Sequence, residues 1–424
     1  MVSGGMVIQI LIGGLMFQSF GVYAAELREQ FGWSKTTLSA GFAMTRAESG
    51  LLGPLQGWAV DRFGPRIMIR IGITSTAIGF LLFSQINSIL TFFLTFFLIA
   101  VGSSMAGFMT LTVAVVNWFE RKRALALGLM STGFAIGGLM VPLVVLSMNV
   151  IGWRNTSIAT GVLIFIVGQI VATFIYHRPE DRGETIDGVP APEPDEPRRA
   201  AGGPVVIPAN DDFTAREALR TPTFWFISIG HASAVLIIGA LMVHLVLHLH
   251  ESLGYSTAQA GLVIALMTAF QIVGQLGGGF FGDEVNKRVL LVACMVGHVV
   301  ALLLVAYATS LWMIMAFAVI NGLAWGGRGP VQQALRADYF GRKSFGTIMG
   351  FSSLIVMTGM STGPIVAGIL ADRTGSYELG FTILAIVGGV GTIFFALAAP
   401  PRRPGQSLER PEPPLAVPTL AGER

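Results

Sequence analysis

Gly57-Trp58-Ala59-Val60-Asp61-Arg62-Phe63-Gly64 closes a long apolar segment of this chain, and Gly279-Phe280-Phe281-Gly282-Asp283 closes another. Asp61 and Asp283 stand 222 positions apart. Working outward, Gly32-Trp33-Ser34 returns as Gly254-Tyr255-Ser256 and Pro142 as Pro364, both at the same offset of 222. Trp118-Phe119-Glu120-Arg121-Lys122 returns as Tyr339-Phe340-Gly341-Arg342-Lys343, at 221. An apolar chain written twice is the pattern of two membrane-embedded halves arranged as a secondary transporter.

Composition points the same way. Only 12% of the residues are charged, against about 25% in soluble domains, and the mean hydropathy is +0.69. Spans of roughly 20 apolar residues are expected at 4–25, 36–60, 67–86, 90–116, 124–148, 155–176, 221–247, 257–281, 289–308, 311–334, 345–371 and 379–399. The fold class is therefore an all-α membrane protein of twelve transmembrane helices in two pseudo-symmetric six-helix bundles. Residues 1–176 form the first bundle, 177–216 a polar cytoplasmic linker, 217–399 the second bundle and 400–424 a cytoplasmic tail. The first segment has no basic n-region and reads as a span rather than a signal peptide.

Of the 27 Lys and Arg, only Arg28, Lys35, Arg154 and Arg373 fall in loops on one side, and Arg46 and Arg328 fall within spans. The other 21 lie in the opposite loops and the tail. That asymmetry puts both termini in the cytoplasm of a multi-pass protein of the inner (plasma) membrane. The net charge of +3 is a topology signal and does not point to nucleic acid. Cys294, the lone cysteine, cannot form an internal disulfide. No Gly-Lys phosphate loop, metal-ligand cluster or nucleophile–base pair is present. The chain thus reads as a carrier without cofactor, metal or catalysis, run by an ion or substrate gradient, with the lipid bilayer as its surroundings and a monomer as its form.

The Gly57-to-Arg66 stretch resembles the signature loop of the major facilitator superfamily, with Gly57 for close helix approach and Asp61 one turn on, suited to a helix N-terminus. The second copy, Asp283-Glu284-Val285-Asn286-Lys287-Arg288, lacks the following Gly, so Asp283 is expected to matter less. Arg62, Arg66, Arg121 and Arg123 join the two acids as gating candidates. Trp118 to Gly128 is similar to the loop before span 5 of the monocarboxylate transporter family. So are Gly21-Val22-Tyr23 with Phe31-Gly32-Trp33-Ser34, and the stretch 363–377. The resemblance implies a small organic anion as substrate, moved with protons or by exchange. The family's acidic residue in span 1 has no counterpart in Gly13-Gly14-Leu15-Met16-Phe17-Gln18, and its span 8 arginine is replaced by Gln271 and Gln275.

An ionisable residue inside a span marks a functional site by default. Arg328, in Trp325-Gly326-Gly327-Arg328-Gly329-Pro330, either grips a carboxylate in a cavity or is a structural arginine satisfying backbone carbonyls or an acid. The glycines read as room beside its guanidinium. Arg46 shares a stripe with Gly50 and Gly57 and is open to structural pairing or substrate contact. Glu48 points about 200° round the helix from Arg46 and is a proton carrier, the partner of a buried arginine, or an outlier near the lipid headgroups. His231 is a second coupling candidate or a packing residue. His244, His248 and His250 approach the outer headgroups. Gln271 and Gln275, Tyr23, Gln18, Asn321, Ser352 and Ser353 complete the possible lining. Two rivals stand beside the anion carrier: a drug or metabolite exporter of the same superfamily, and a transport-inactive membrane receptor or sensor.

Overall fold

The computed structural model describes residues 1–188 and 212–402. Helices make up nearly all of the described residues, and no strand occurs among them. We number the helices α1 (Val2–Phe31), α2 (35–63), α3 (Pro65–Phe83), α4 (Ile89–Trp118), α5 (123–151), α6 (153–172), α7 (Pro222–Ser252), α8 (Thr257–Glu284), α9 (Lys287–Ala306), α10 (Leu311–Phe340), α11 (Phe345–Thr374) and α12 (Glu378–Leu397).

Among the described residues, ten helical stretches are long and apolar enough to cross a membrane. One of them, Arg123–Ala172, is two helices meeting at Gly152, whose φ of 76° breaks the run between α5 and α6. α2 supplies the twelfth helix; Leu52 interrupts it just before Pro54.

The repeated Gly-aromatic-Ser phrase is a helix stop followed by a helix start. Gly32 and Gly254 both take positive φ, 67° and 74°, where a side chain would be strained. Ser34 and Ser256 then cap α2 and α8, each accepting a hydrogen bond from the backbone three residues on, at 3.1 and 3.2 Å. Pairings inside the halves repeat as well. α1 packs on α5 as α7 packs on α11, α2 on α4 as α8 on α10, and α3 on α4 and α6 as α9 on α10 and α12. Across the halves, α2 meets α11 and α5 meets α8.

Large apolar side chains also cover the outside: Leu51, Leu139 and Val150 are more than 70% exposed. Such a surface suits lipid, where helix packing relies on small residues rather than on hydrophobic burial.

α10 runs six residues beyond the expected end of span 10 and carries Arg336, read as a loop cation, into the interior, 1% exposed. The two ends of the stretch expected as a linker carry short helical elements. Pro179–Arg182 and Ile186–Gly188 form 3₁₀ turns, and Ala215–Leu219 is a short helix with a Thr214–Glu217 capping box. The rest of the linker, and the tail beyond residue 402, lie outside the described residues.

Candidate functional site: paired corners and a polar interior

At the end carrying the basic loops, two carboxylates reach from one half to the other. Asp61 on α2 accepts hydrogen bonds from the Gly346 and Thr347 backbone at the start of α11, at 2.9 and 2.7 Å, and from the Thr347 hydroxyl at 2.6 Å. Asp283 on α8 accepts from the Ala124 and Leu125 backbone at the start of α5, both at 2.9 Å. The acceptors are 222 residues apart and so are the donors. Free N–H groups and the helix dipole make each helix start a site for an anion. Gly57 permits the approach, since a Cβ there would run into the Gly346 carbonyl. The Asp283 segment, short of its downstream Gly in the sequence, therefore makes the same pair of backbone bonds as Asp61.

Ion pairs flank the corner at α5. Arg123 reaches Asp338 of α10 at 2.5 Å, and Lys287 holds the other Asp338 oxygen at 2.9 Å. Arg342 donates to the Asn117 carbonyl of α4 at 2.9 Å. The linker ends cap the neighbouring loops: Asp187 accepts from the Glu120 and Arg121 backbone, and Asp212 from the Arg342 and Lys343 backbone. Arg62 is exposed, and Arg66 lies over the Tyr176 ring. Among the described residues, every hydrogen bond and ion pair between the halves lies at this end.

Deeper in the molecule the candidates do not converge on one cluster. Arg46 projects between the Phe17 and Phe42 rings, 5.2 and 5.4 Å from their centroids, with no carboxylate partner among the described residues. Glu48 turns the other way, into the first half. It accepts from Ser49 and from Gln56 at 2.8 Å, and the Gln56 carbonyl oxygen accepts from Ser104 of α4 at 2.7 Å. Its hydrogen-bond donors are thus neutral.

Arg328 is 3% exposed and donates to Gln332 on its own helix at 2.8 Å. The two glycines before it serve close packing: Gly326 lies on the Gln271 carbonyl of α8, and Gly327 crosses Gly278, whereas Gly329 has open space beside it. Arg336 donates to Gln333 and to Ser352 of α11, which also accepts from Ser228 of α7. His231 of α7 lies within electrostatic reach of both arginines.

Tyr23 contacts Thr160 within the first half at 3.3 Å, and Asn321 bonds His298 at 2.9 Å within the second. Both are almost fully buried in their own half. Gln271 and Gln275 are buried where α8 crosses α10 and α5. Gln18 donates to the Phe134 carbonyl at a π-helical turn, 13–18, in α1. His244 bonds Tyr377 and the Pro364 carbonyl. Sequence reading missed Gln56, Ser104, Gln332, Arg336 and Asp338. Arg336 alone carried a signal, standing about two helical turns after Arg328.

This arrangement has counterparts among known proteins. The family model described as the Major Facilitator Superfamily matches residues 6–257 and 227–422. The oxalate:formate antiporter of Oxalobacter formigenes is 24% identical over 92% of this chain and 87% of its own. Monocarboxylate transporter 13 of Bos taurus is 26% identical over 93% of this chain and 89% of its own. Among solved structures, a bacterial homologue of the iron transporter ferroportin, in its outward-facing state, superimposes with a TM-score of 0.72 at 12% identity, covering 94% of this chain and 99% of that one. With the family matched across both halves, this chain belongs to the major facilitator superfamily.

Proposed function

We propose that the chain is a secondary active transporter of the inner (plasma) membrane that moves a small organic anion, in the first place a monocarboxylate, by alternating access. The observation carrying this reading is the pair of corners. Two carboxylates from opposite halves grip equivalent helix starts at one end only, as a carrier closed at that end requires. By the distribution of Lys and Arg that end is cytoplasmic, and the conformation is outward-facing. The halves, 1–176 and 217–399, rock against each other when both corners release, and one chain acts by itself. The chemistry is conformational, and no covalent step belongs to it.

The substrate class rests on relatives whose names include oxalate, formate and monocarboxylate, and on Arg46. A guanidinium between two aromatic rings with no acid beside it suits a carboxylate, which it can bind through two parallel bonds. Arg328, already bonded to Gln332 inside the second half, is the weaker anchor. Gln271 and Gln275 add amide donors, while Tyr23 and Asn321 act through packing. Glu48, a buried acid held by neutral donors, is the leading proton carrier, with His231 second. The exporter reading draws support from Gln271 and Gln275 standing where a cation would fix the anion.

Radiolabelled uptake into proteoliposomes, with and without a pH gradient, tests the proposal. Oxalate, formate, lactate and a neutral sugar form the panel. Saturable uptake of at least one monocarboxylate is expected. Arg46→Ala should lose it at a cost of about 2–5 kcal/mol in binding, and Arg328→Ala should retain more. Glu48→Gln should keep exchange and lose gradient-driven uptake. Uptake of none of the anions, by either orientation of the protein, would overturn the substrate class.

A further inference from the structure

On the membrane-facing side of the first half, α3, α4 and α6 enclose a groove of about 620 Å³. Its walls are apolar: Ile71 and Ile78 of α3, Leu98 of α4 and Phe165 of α6. Ile71 and Phe165 are 49% and 43% exposed, so these side chains face outward, where the bilayer lies, rather than into the bundle. One end of the groove is polar. The Gln169 side chain of α6 donates to the Arg70 carbonyl and the Thr74 hydroxyl of α3, at 3.0 and 2.9 Å. Beside them the Arg70 side chain is exposed, with no carboxylate against it among the described residues.

Arg70 lies five residues into a membrane-spanning helix, about 8 Å along the axis from its basic-loop end. A charge there is tolerated when the long side chain carries its head to the lipid headgroups. Headgroups of that leaflet that are anionic attract such cations. Cation, polar ledge and apolar trough thus follow one another from the headgroup level inwards, in the order in which phosphate, glycerol ester and acyl chain follow one another in a phospholipid.

We propose that this groove holds one anionic phospholipid of the leaflet at the basic-loop end. Its phosphate meets the Arg70 guanidinium, its ester region meets Thr74 and Gln169, and an acyl chain lies between Ile78, Leu98 and Phe165. The site is separate from the paired corners and from the polar interior. It rests on the helical spans alone, so it stands whether or not the substrate is an organic anion.

Native mass spectrometry of the full-length protein, released from detergent micelles carrying graded phosphatidylglycerol, tests this. One retained phosphatidylglycerol per chain is expected for the wild type, with phosphatidylcholine held more weakly. Arg70→Gln should weaken retention roughly tenfold, the scale of one charge-assisted contact. Arg402→Gln, which removes an exposed charge of the basic-loop side away from the groove, should leave it unchanged. Ile78→Trp keeps Arg70 and fills the trough, and should also release the lipid. Equal melting temperatures of the variants in phosphatidylcholine establish that they fold. Loss in Arg402→Gln equal to that in Arg70→Gln would overturn the proposal in favour of diffuse attraction. So would retention unaffected by Arg70→Gln, or competition by free glycerol 3-phosphate as strong as that of the lipid.

Discussion

The two corners of the basic-loop end differ in sequence more than in geometry. Around Asp61 the phrase runs on through Gly64 and Arg66; around Asp283 it decays into Glu284-Val285-Asn286. Both acids nevertheless accept two backbone hydrogen bonds from the opposite half. The bond needs only a carboxylate, a glycine for approach and an uncapped helix start, and those are what the repeat retains. Downstream glycine and arginine belong to the local turn into α3. Where the corners do differ is in their support. Asp61 has a third donor, the Thr347 hydroxyl. Asp283 faces Leu125, which has none, and is flanked instead by the Arg123–Asp338–Lys287 chain.

The strongest way to break the comparison is to remove both charges. In the double variant Asp61→Asn, Asp283→Asn, each corner keeps one acceptor and loses its charge. A hydrogen bond to a charged group contributes about 1.5–3 kcal/mol, so releasing both should move the population well towards the state open at the basic-loop end. Single cysteines placed on the α4–α5 loop of a Cys294→Ser protein would report it. Labelling there should accelerate by an order of magnitude or more. An unchanged labelling rate in the double variant would mean that the carboxylates do not hold this end closed.

Next in size is the flank. Arg123→Gln leaves Asp338 to Lys287 and should affect the α5 corner only. The arginine is 4% exposed and its partner Asp338 24%, so the loss should exceed that of a surface pair, about 1 kcal/mol or less, and should shrink in high salt. Labelling near α5 should rise while labelling near α11 stays close to wild type. Equal rises at both ends would show that the halves release as one rigid unit.

Much of this was legible in the sequence. The apolar runs and the 222-residue offset lead to the helices and their order, and the Gly-aromatic-Ser phrases to the repeat, while their role as helix stop and cap emerged only from the fold. Interior polar partners were not. Arg336 looks like a loop cation because Lys and Arg cluster around it, yet its acceptor Ser352 sits on α11 and the hydroxyl behind that on α7. Those pairings depend on tertiary packing, which spacing along one helix does not reveal. Of the glycines near Arg328, Gly326 and Gly327 misled for a similar reason, while Gly329 does border open space. Small residues signal close approach as well as free space, and the choice depended on Gly274 and Gly278 of α8 lying opposite. Tyr23 and Asn321 face the interiors of their own halves, a direction set by packing and not by depth in the span.

The smallest expected effect sharpens the comparison most. Thr347→Val removes the third donor to Asp61 and preserves shape, with the backbone bond at 2.7 Å left in place. If the corners are otherwise equivalent, this variant makes the Asp61 corner a copy of the Asp283 corner. Loss of one hydroxyl donor to a carboxylate costs about 1.5–3 kcal/mol at most, and less where the remaining bonds tighten. Asp61→Asn should then open the basic-loop end more than Asp283→Asn in the wild type, and by nearly the same amount in the Thr347→Val background. The double-mutant cycle between Asp61→Asn and Thr347→Val should show coupling, because the two groups are in contact. A cycle between Asp283→Asn and Thr347→Val should show much less, unless the corners open together. Coupling of equal size in both cycles would locate cooperativity in the rocking of the halves rather than in either hydrogen bond. The three-bond corner would then differ from the two-bond corner in geometry alone, with no difference in the population it holds closed.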